Sequence, residues 1–142
     1  MKSKAPLAMM EQMIMVLVFA LAAALCLQAF VRSDQMSRRA EARDRAMTLC
    51  QTAAEVIRHS NGNFEDAAEK LGLELDQDGA ISCYYDEHWE PIPGREGTYL
   101  LRIHGLSDVS PGLGKASVSV SEADGEALFE LEATWQEVGI HG

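Results

Sequence analysis

Met13 to Val31 reads MIMVLVFALAAALCLQAFV, and Gln28 is the only clearly polar residue in the run. At 1.5 Å per residue a helix of this length spans about 28 Å, close to the hydrocarbon thickness of a bilayer. The core helix of a small soluble domain is apolar along one stripe, not on every face for five turns. The run therefore predicts a membrane-spanning helix. A cleaved secretory signal fits less well, because the apolar run continues past Ala22-Ala23-Ala24 and Glu11-Gln12 stand directly before it. Leu25 ahead of Cys26 also argues against a lipoprotein signal. The flanking charges, Lys2 and Lys4 on one side and Arg32, Arg38 and Arg39 on the other, leave the orientation open.

Charge divides the chain at the end of this helical region. The net charge is −10, yet residues 60–142 alone hold 17 acids against four bases, while residues 1–59 are weakly basic. An acidic C-terminal part excludes nucleic-acid binding through that part, since phosphate contacts need clustered Lys and Arg. Its acidity points to solubility and to like-charge spacing more than to a substrate.

Residues 32–59 contain no Gly or Pro and are rich in Arg, Ala, Glu and Met, a strong helix composition. The spacing predicts one uninterrupted helix from about Leu7 to Ser60, stopped by Asn61-Gly62. Met36, Ala40, Arg43, Met47, Cys50, Ala54 and Ile57 recur at heptad-like spacing and form the expected packing stripe. Over residues 43–57 its partner is expected to be the chain's own sheet in preference to a coiled-coil partner. Asn63 to Gly72 reads as a second, short helix, with Asn63 as N-cap, acids in the first turn and Lys70 in the last. Its Phe64 and Leu71 would close an edge of the sheet.

Beyond Gly72 the period changes to two. Ile81/Cys83/Tyr85, Tyr99/Leu101/Ile103, Ala116/Val118/Val120 and Phe129/Leu131/Ala133/Trp135 each alternate with polar or smaller neighbours. They predict four half-buried strands of an antiparallel sheet with one covered face. Asp124-Gly125 marks a hairpin, Asp86-Glu87-His88 turns the chain towards Trp89, and Pro91, Pro93 and Gly94 mark a loop, as do Pro111, Gly112 and Gly114. The expected fold class is α+β, with the second half of the long helix as the cover of the sheet.

The basic start, a Glu just before a transmembrane run, an unbroken helix of some fifty residues and a meander sheet together resemble the type IV pilin and type II secretion pseudopilin family. The residues carrying the match are Leu7-Ala8-Met9-Met10-Glu11 and the apolar run behind them. The resemblance implies a cytoplasmic leader, residues 1–6, removed between Pro6 and Leu7 by a prepilin peptidase. Pro6 stands where the family has Gly. It further implies a transmembrane helix over 7–31, its extramembrane continuation over 32–60, and an extracytoplasmic α+β head over 61–142. Glu11, fifth from Leu7, would meet the N-terminal amine of a neighbouring subunit and set axial register. The alternative for Glu11 is an interfacial carboxylate in contact with water and headgroups. The implied partners are the lipid bilayer, other pilin-like subunits and the assembly machinery. The alternative function is a single-pass membrane protein with a small envelope-facing interaction domain that never polymerises.

The remaining chemistry-bearing residues give no site. Cys50 lies on the helix stripe and Cys83 on the apolar face of the first strand. A disulfide between them is one reading; two buried thiols are the other, favoured by the odd count with Cys26. Glu74-x-Asp76-x-Asp78-Gly79 begins like a calcium loop, but Tyr85 stands where the bidentate acid belongs. His59, His88, His104 and His141 have no metal-ligand spacing. No nucleophile–base set, phosphate loop or zinc motif is present, so the chain is expected to be neither an enzyme nor a holder of metal or cofactor. Tyr84, Tyr85 and Trp89 are candidates for an aromatic patch, with core and edge packing as the other reading.

Overall fold

The structure is a computed structural model that describes residues 4–107 and 110–137. Met1–Ser3 of the expected leader and His141 lie outside the described residues. The chain forms two compact units, one up to Glu41 and one from Ala42 onward. Helix α1 (Lys4–His59) belongs to both and runs without interruption for 56 residues.

In the second unit, α1 is followed by α2 (Phe64–Leu71) and by strands β1 (Ile81–Tyr85), β2 (Pro91–Ile92), β3 (Tyr99–Gly105), β4 (Leu113–Glu122) and β5 (Ala127–Gln136). All neighbouring strands are antiparallel, in the order β2-β1-β3-β4-β5. The α+β expectation holds, with one addition. Pro91 and Ile92, expected in a loop, pair with Tyr85 and Tyr84 as a two-residue edge strand. A proline fits there because an edge strand needs no N–H on its open side.

The junction between the helices follows its residues. Asn61 (φ 50°) and Gly62 (φ 78°) take left-handed conformations and end α1. The Asn63 side chain accepts from the backbone N–H groups of Glu65 and Asp66 at 3.1 and 3.3 Å. Gly72 closes α2 in the left-handed region. On the α2 surface Lys70 bonds to Asp66 at 2.7 Å. Hydrogen bonds from Lys70 and then Ser60 hold the Asp66 carboxyl below its ordinary range.

The core lies between one face of the sheet and the last four turns of α1. Ala46, Cys50, Ala53, Ala54 and Ile57 pack with Ile81, Cys83, Leu101, Ile103, Val118, Val120 and Ala133, and α2 adds Ala67 and Ala68. Ile57, Ile81, Ile103, Val118 and Val120 are its largest fully buried side chains. Each contributes about 1.5–3 kcal/mol relative to exposure.

The helix face that does this differs from the expected stripe in its first half. Cys50, Ala54 and Ile57 are buried as expected, but Met36, Ala40, Arg43 and Met47 are exposed, and Ala42 and Ala46 are buried instead. Ala42, Ala46, Cys50, Ala53 and Ile57 follow one helical face at steps of four, four, three and four. Small side chains let the backbone lie close to the sheet, whereas a methionine at the same place would hold it off.

At its far edge β5 carries a bulge. Val120 pairs with Phe129 and Ser121 with Ala127, so Leu128 has no opposite residue. Trp135, opposite Gly114, packs its indole against both Gly114 and Gly62, at positions that a Cβ on either glycine would occupy.

Candidate membrane and assembly site

The N-terminal part of α1 is apolar on every face. Leu7, Met9, Met10, Met13 to Phe19, Leu21, Leu25, Leu27 and Phe30 are all exposed, many by more than 60 %. A helix of a water-soluble domain ordinarily buries its apolar stripe, and here the apolar side chains are left uncovered. Its most apolar window has a mean hydropathy of 2.7, and α1 is long and apolar enough to cross a membrane by length and composition. Among the described residues there is therefore one candidate membrane span.

The residues singled out at its start all lie within the first turns of α1. Among the described residues α1 is helical from Lys4 onward and includes Pro6. The Pro6–Leu7 bond is thus helical here, and Leu7 is exposed. Glu11 sits one turn further and is also exposed, with no ion pair among the described residues. The helix has no acid in its first turn.

Cys50 and Cys83 enter the same core as free thiols, at opposite ends of one row of the sheet. The row runs Cys83–Leu101–Val120–Phe129. Cys50 Sγ lies 4.0 Å from the Phe129 carbonyl oxygen on β5, while Cys83 is on β1. Strands are about 4.8 Å apart, so two to three strand spacings separate the thiols, too far for the geometry of a disulfide. The disulfide reading is corrected accordingly: one core, but not one contact. Burial, with the charge of Glu130 adding to it, pushes the Cys50 thiol up to about 12. Burial also raises Cys83, and Tyr85 beside it is raised for the same reason. Such thiols are protonated and inert.

The aromatic grouping is real but its membership differs. Trp89 stacks on Tyr99, ring centroids 3.8 Å apart and planes 10° apart, and lies 6.3 Å from Tyr85. Tyr84 points to the opposite face of β1. Tyr85 and Tyr99 stand directly opposite each other in the β1–β3 register, a pairing that strand alternation alone could not fix. Trp89 holds φ 64°, a conformation costly for a bulky residue. The Asp86 carboxylate accepts from the N–H groups of His88 and Glu90, both at 2.9 Å, and fixes the turn that places it.

The acidic loop after α2 is a turn. Asp76 N–H donates to the Ala80 carbonyl, Gly79 N–H to the Asp76 carbonyl, and the Ser82 hydroxyl to Asp76 Oδ2. Among the described residues no three His, Cys, Asp or Glu side chains are grouped as metal ligands.

No family model, curated protein or solved structure matches the chain. The site is therefore characterised by its own chemistry. It offers a helix for lipid or for other helices, a carboxylate and two amides (Glu11, Gln12 and Gln28) along it, and a small sheet domain covered by the same helix.

Proposed function

We propose that the chain is a non-enzymatic, pilin-like structural subunit, anchored in a membrane by the first half of α1 and assembling with like subunits through that helix. The observation that carries this reading is the double use of α1. One helix is apolar on every face over Met13–Val31, with Gln28 the exception, and then supplies, from Ala42 to Ile57, the cover without which the sheet has no core. In lipid, apolar helices associate through close packing of small residues and through polar side chains, and the span offers Ala20, Ala22, Ala23, Ala24 and Gln28. On this reading the N-terminus is cytoplasmic, the acidic head is extracytoplasmic, prepilin peptidase releases Leu7 as the first residue, and Glu11 sets register against the amine of the next subunit.

Chemical cross-linking of the full-length protein in its membrane tests the assembly. The expected result is a ladder of multimers that Glu11→Ala shortens or abolishes. A ladder unchanged by Glu11→Ala removes the register role, and a monomer band alone contradicts assembly.

A second reading is supported by Pro6, which occupies the place of the family's Gly. It is a single-pass protein with an intact N-terminus and an envelope-facing interaction domain. The two readings share the fold and part at the N-terminus.

A further inference from the structure

Five of the eight arginines lie between positions 32 and 45, directly behind the apolar run that ends at Val31. Residues 60–142, by contrast, hold four bases against 17 acids. Residues 32–41 belong to the first unit and are helical and exposed throughout. At about 100° per residue, Arg32, Gln35 and Arg39 fall on one face of α1, at positions i, i+3 and i+7. Asp34, Arg38 and Glu41 fall on the opposite face.

The two faces spend their charges differently. Arg38 Nε pairs with Asp34 Oδ2 at 3.2 Å, one turn away on its own face. Over residues 32–41 both acids, Asp34 and Glu41, are on that side. Arg32 and Arg39 have no ion pair among the described residues. Their face therefore presents two guanidinium groups with an amide between them, and no carboxylate.

Depth decides what this face meets. With the span in a bilayer, Arg32 stands at the edge of the hydrocarbon, since it follows Val31. Arg39 lies about 12 Å past Val31 along the helix axis. Helical side chains lean towards the helix N-terminus, which here is back towards the span. The long stem of Arg39 thus returns its guanidinium towards the headgroup layer, which is about 5–7 Å deep on each side of the hydrocarbon. Arg32 snorkels outward into the same layer. The acceptors at that depth are lipid phosphates, and a guanidinium fork matches phosphate oxygens bidentately.

We propose that the Arg32–Gln35–Arg39 face of α1 binds the headgroup of an anionic phospholipid. The two guanidinium groups take the phosphate and the headgroup's net negative charge, and Gln35 donates between them. A zwitterionic lipid sets its own cation against the arginines and binds less well. Attraction of this kind is the ordinary behaviour of basic residues beside an anionic membrane surface. Here it is confined to one face, because Arg38 on the other is already paired. The proposal rests on the membrane anchoring put forward above and is independent of assembly.

The test places the full-length protein in nanodiscs of equal phosphatidylglycerol and phosphatidylcholine, then releases and weighs it with its bound lipids by native mass spectrometry. The expected preference for phosphatidylglycerol is at least about tenfold, of which Arg32→Gln and Arg39→Gln each remove about fivefold. Asp34→Asn with Arg38→Gln removes the ion pair of the opposite face without changing net charge, and should leave the preference unchanged. Equal adducts of the two lipids on the embedded wild type would overturn the proposal. So would a preference that survives both arginine substitutions, or one that loss of the Asp34–Arg38 pair lowers as far. If adducts are equal and Arg32→Gln with Arg39→Gln shortens the multimer ladder, the face serves carboxylates of a second copy instead. In each of these outcomes the anchored subunit stands. A wild-type chain that does not enter nanodiscs removes the anchor and this contact together.

Discussion

Trp135 stands opposite Gly114 on the neighbouring strand, and its indole fills the space into which a side chain at 114 would project. Gly62, at the end of α1, meets the same indole from the loop. The ring thus fastens the last strand to the helix junction through two residues that have no side chain. Adding a methyl group at 114 must push the indole or the strand aside. Overpacking of this kind costs about 1–3 kcal/mol. For a domain of roughly 100 residues each kcal/mol lowers Tm by about 4–8 °C. Gly114→Ala is expected to lower the Tm of the detergent-solubilised chain by about 5–20 °C, read by circular dichroism. An unchanged Tm would mean that the indole does not occupy this place.

The face of α1 that covers the sheet makes a paired prediction. Ala46 is fully buried and Met47, its neighbour, is 38 % exposed. Ala46→Leu inserts a branched side chain between helix and sheet and should destabilise by about 1–3 kcal/mol. Met47→Leu should stay within about 0.5 kcal/mol of the wild type. Urea unfolding followed by Trp fluorescence checks both. The opposite order would restore the face on which methionine 47 was expected to pack.

That reversal shows what was legible in the sequence and what was not. The strands, the helix stop at Asn61-Gly62, the cap at Asn63 and the Asp124-Gly125 hairpin could all be read, because each follows from local period or turn chemistry. The helix face could not be read in full. The expected stripe gave Met36 and Met47 priority as large apolar residues, whereas the sheet accepts Ala42 and Ala46 because a close approach needs small ones. The Pro91–Ile92 strand was missed because two residues carry no period. The Trp89–Tyr99 stack depends on which strands are neighbours, and β1 pairing with β3 was not visible from alternation. The separation of Cys50 from Cys83 has the same origin: one face was evident, but not their places along the row.

The buried thiols make stability fall at alkaline pH. Cys50 ordinarily ionises near 9.0 and in the fold is pushed up to about 12, and Cys83 is raised in the same sense. Between those values the unfolded chain loses protons that the folded chain keeps. The stabilisation is complete below about pH 9 and is lost as pH rises through about 12. Melting between pH 8 and 11 should show a falling Tm whose slope is reduced in Cys50→Ala. A thiol reagent should also leave Cys50 and Cys83 unmodified in the folded chain and label both in urea. Rapid native labelling of Cys50 would contradict its place beneath β4 and β5.

A processed subunit and a simple anchor differ by one peptide bond at the N-terminus. Intact mass and N-terminal sequencing of the protein extracted from its own membrane read that bond directly. The expected result for a pilin-like subunit is a chain that begins at Leu7, lacking Met1–Pro6 and carrying Glu11 as its fifth residue. A chain that still begins with Met1 or Lys2 and retains Pro6 would contradict it.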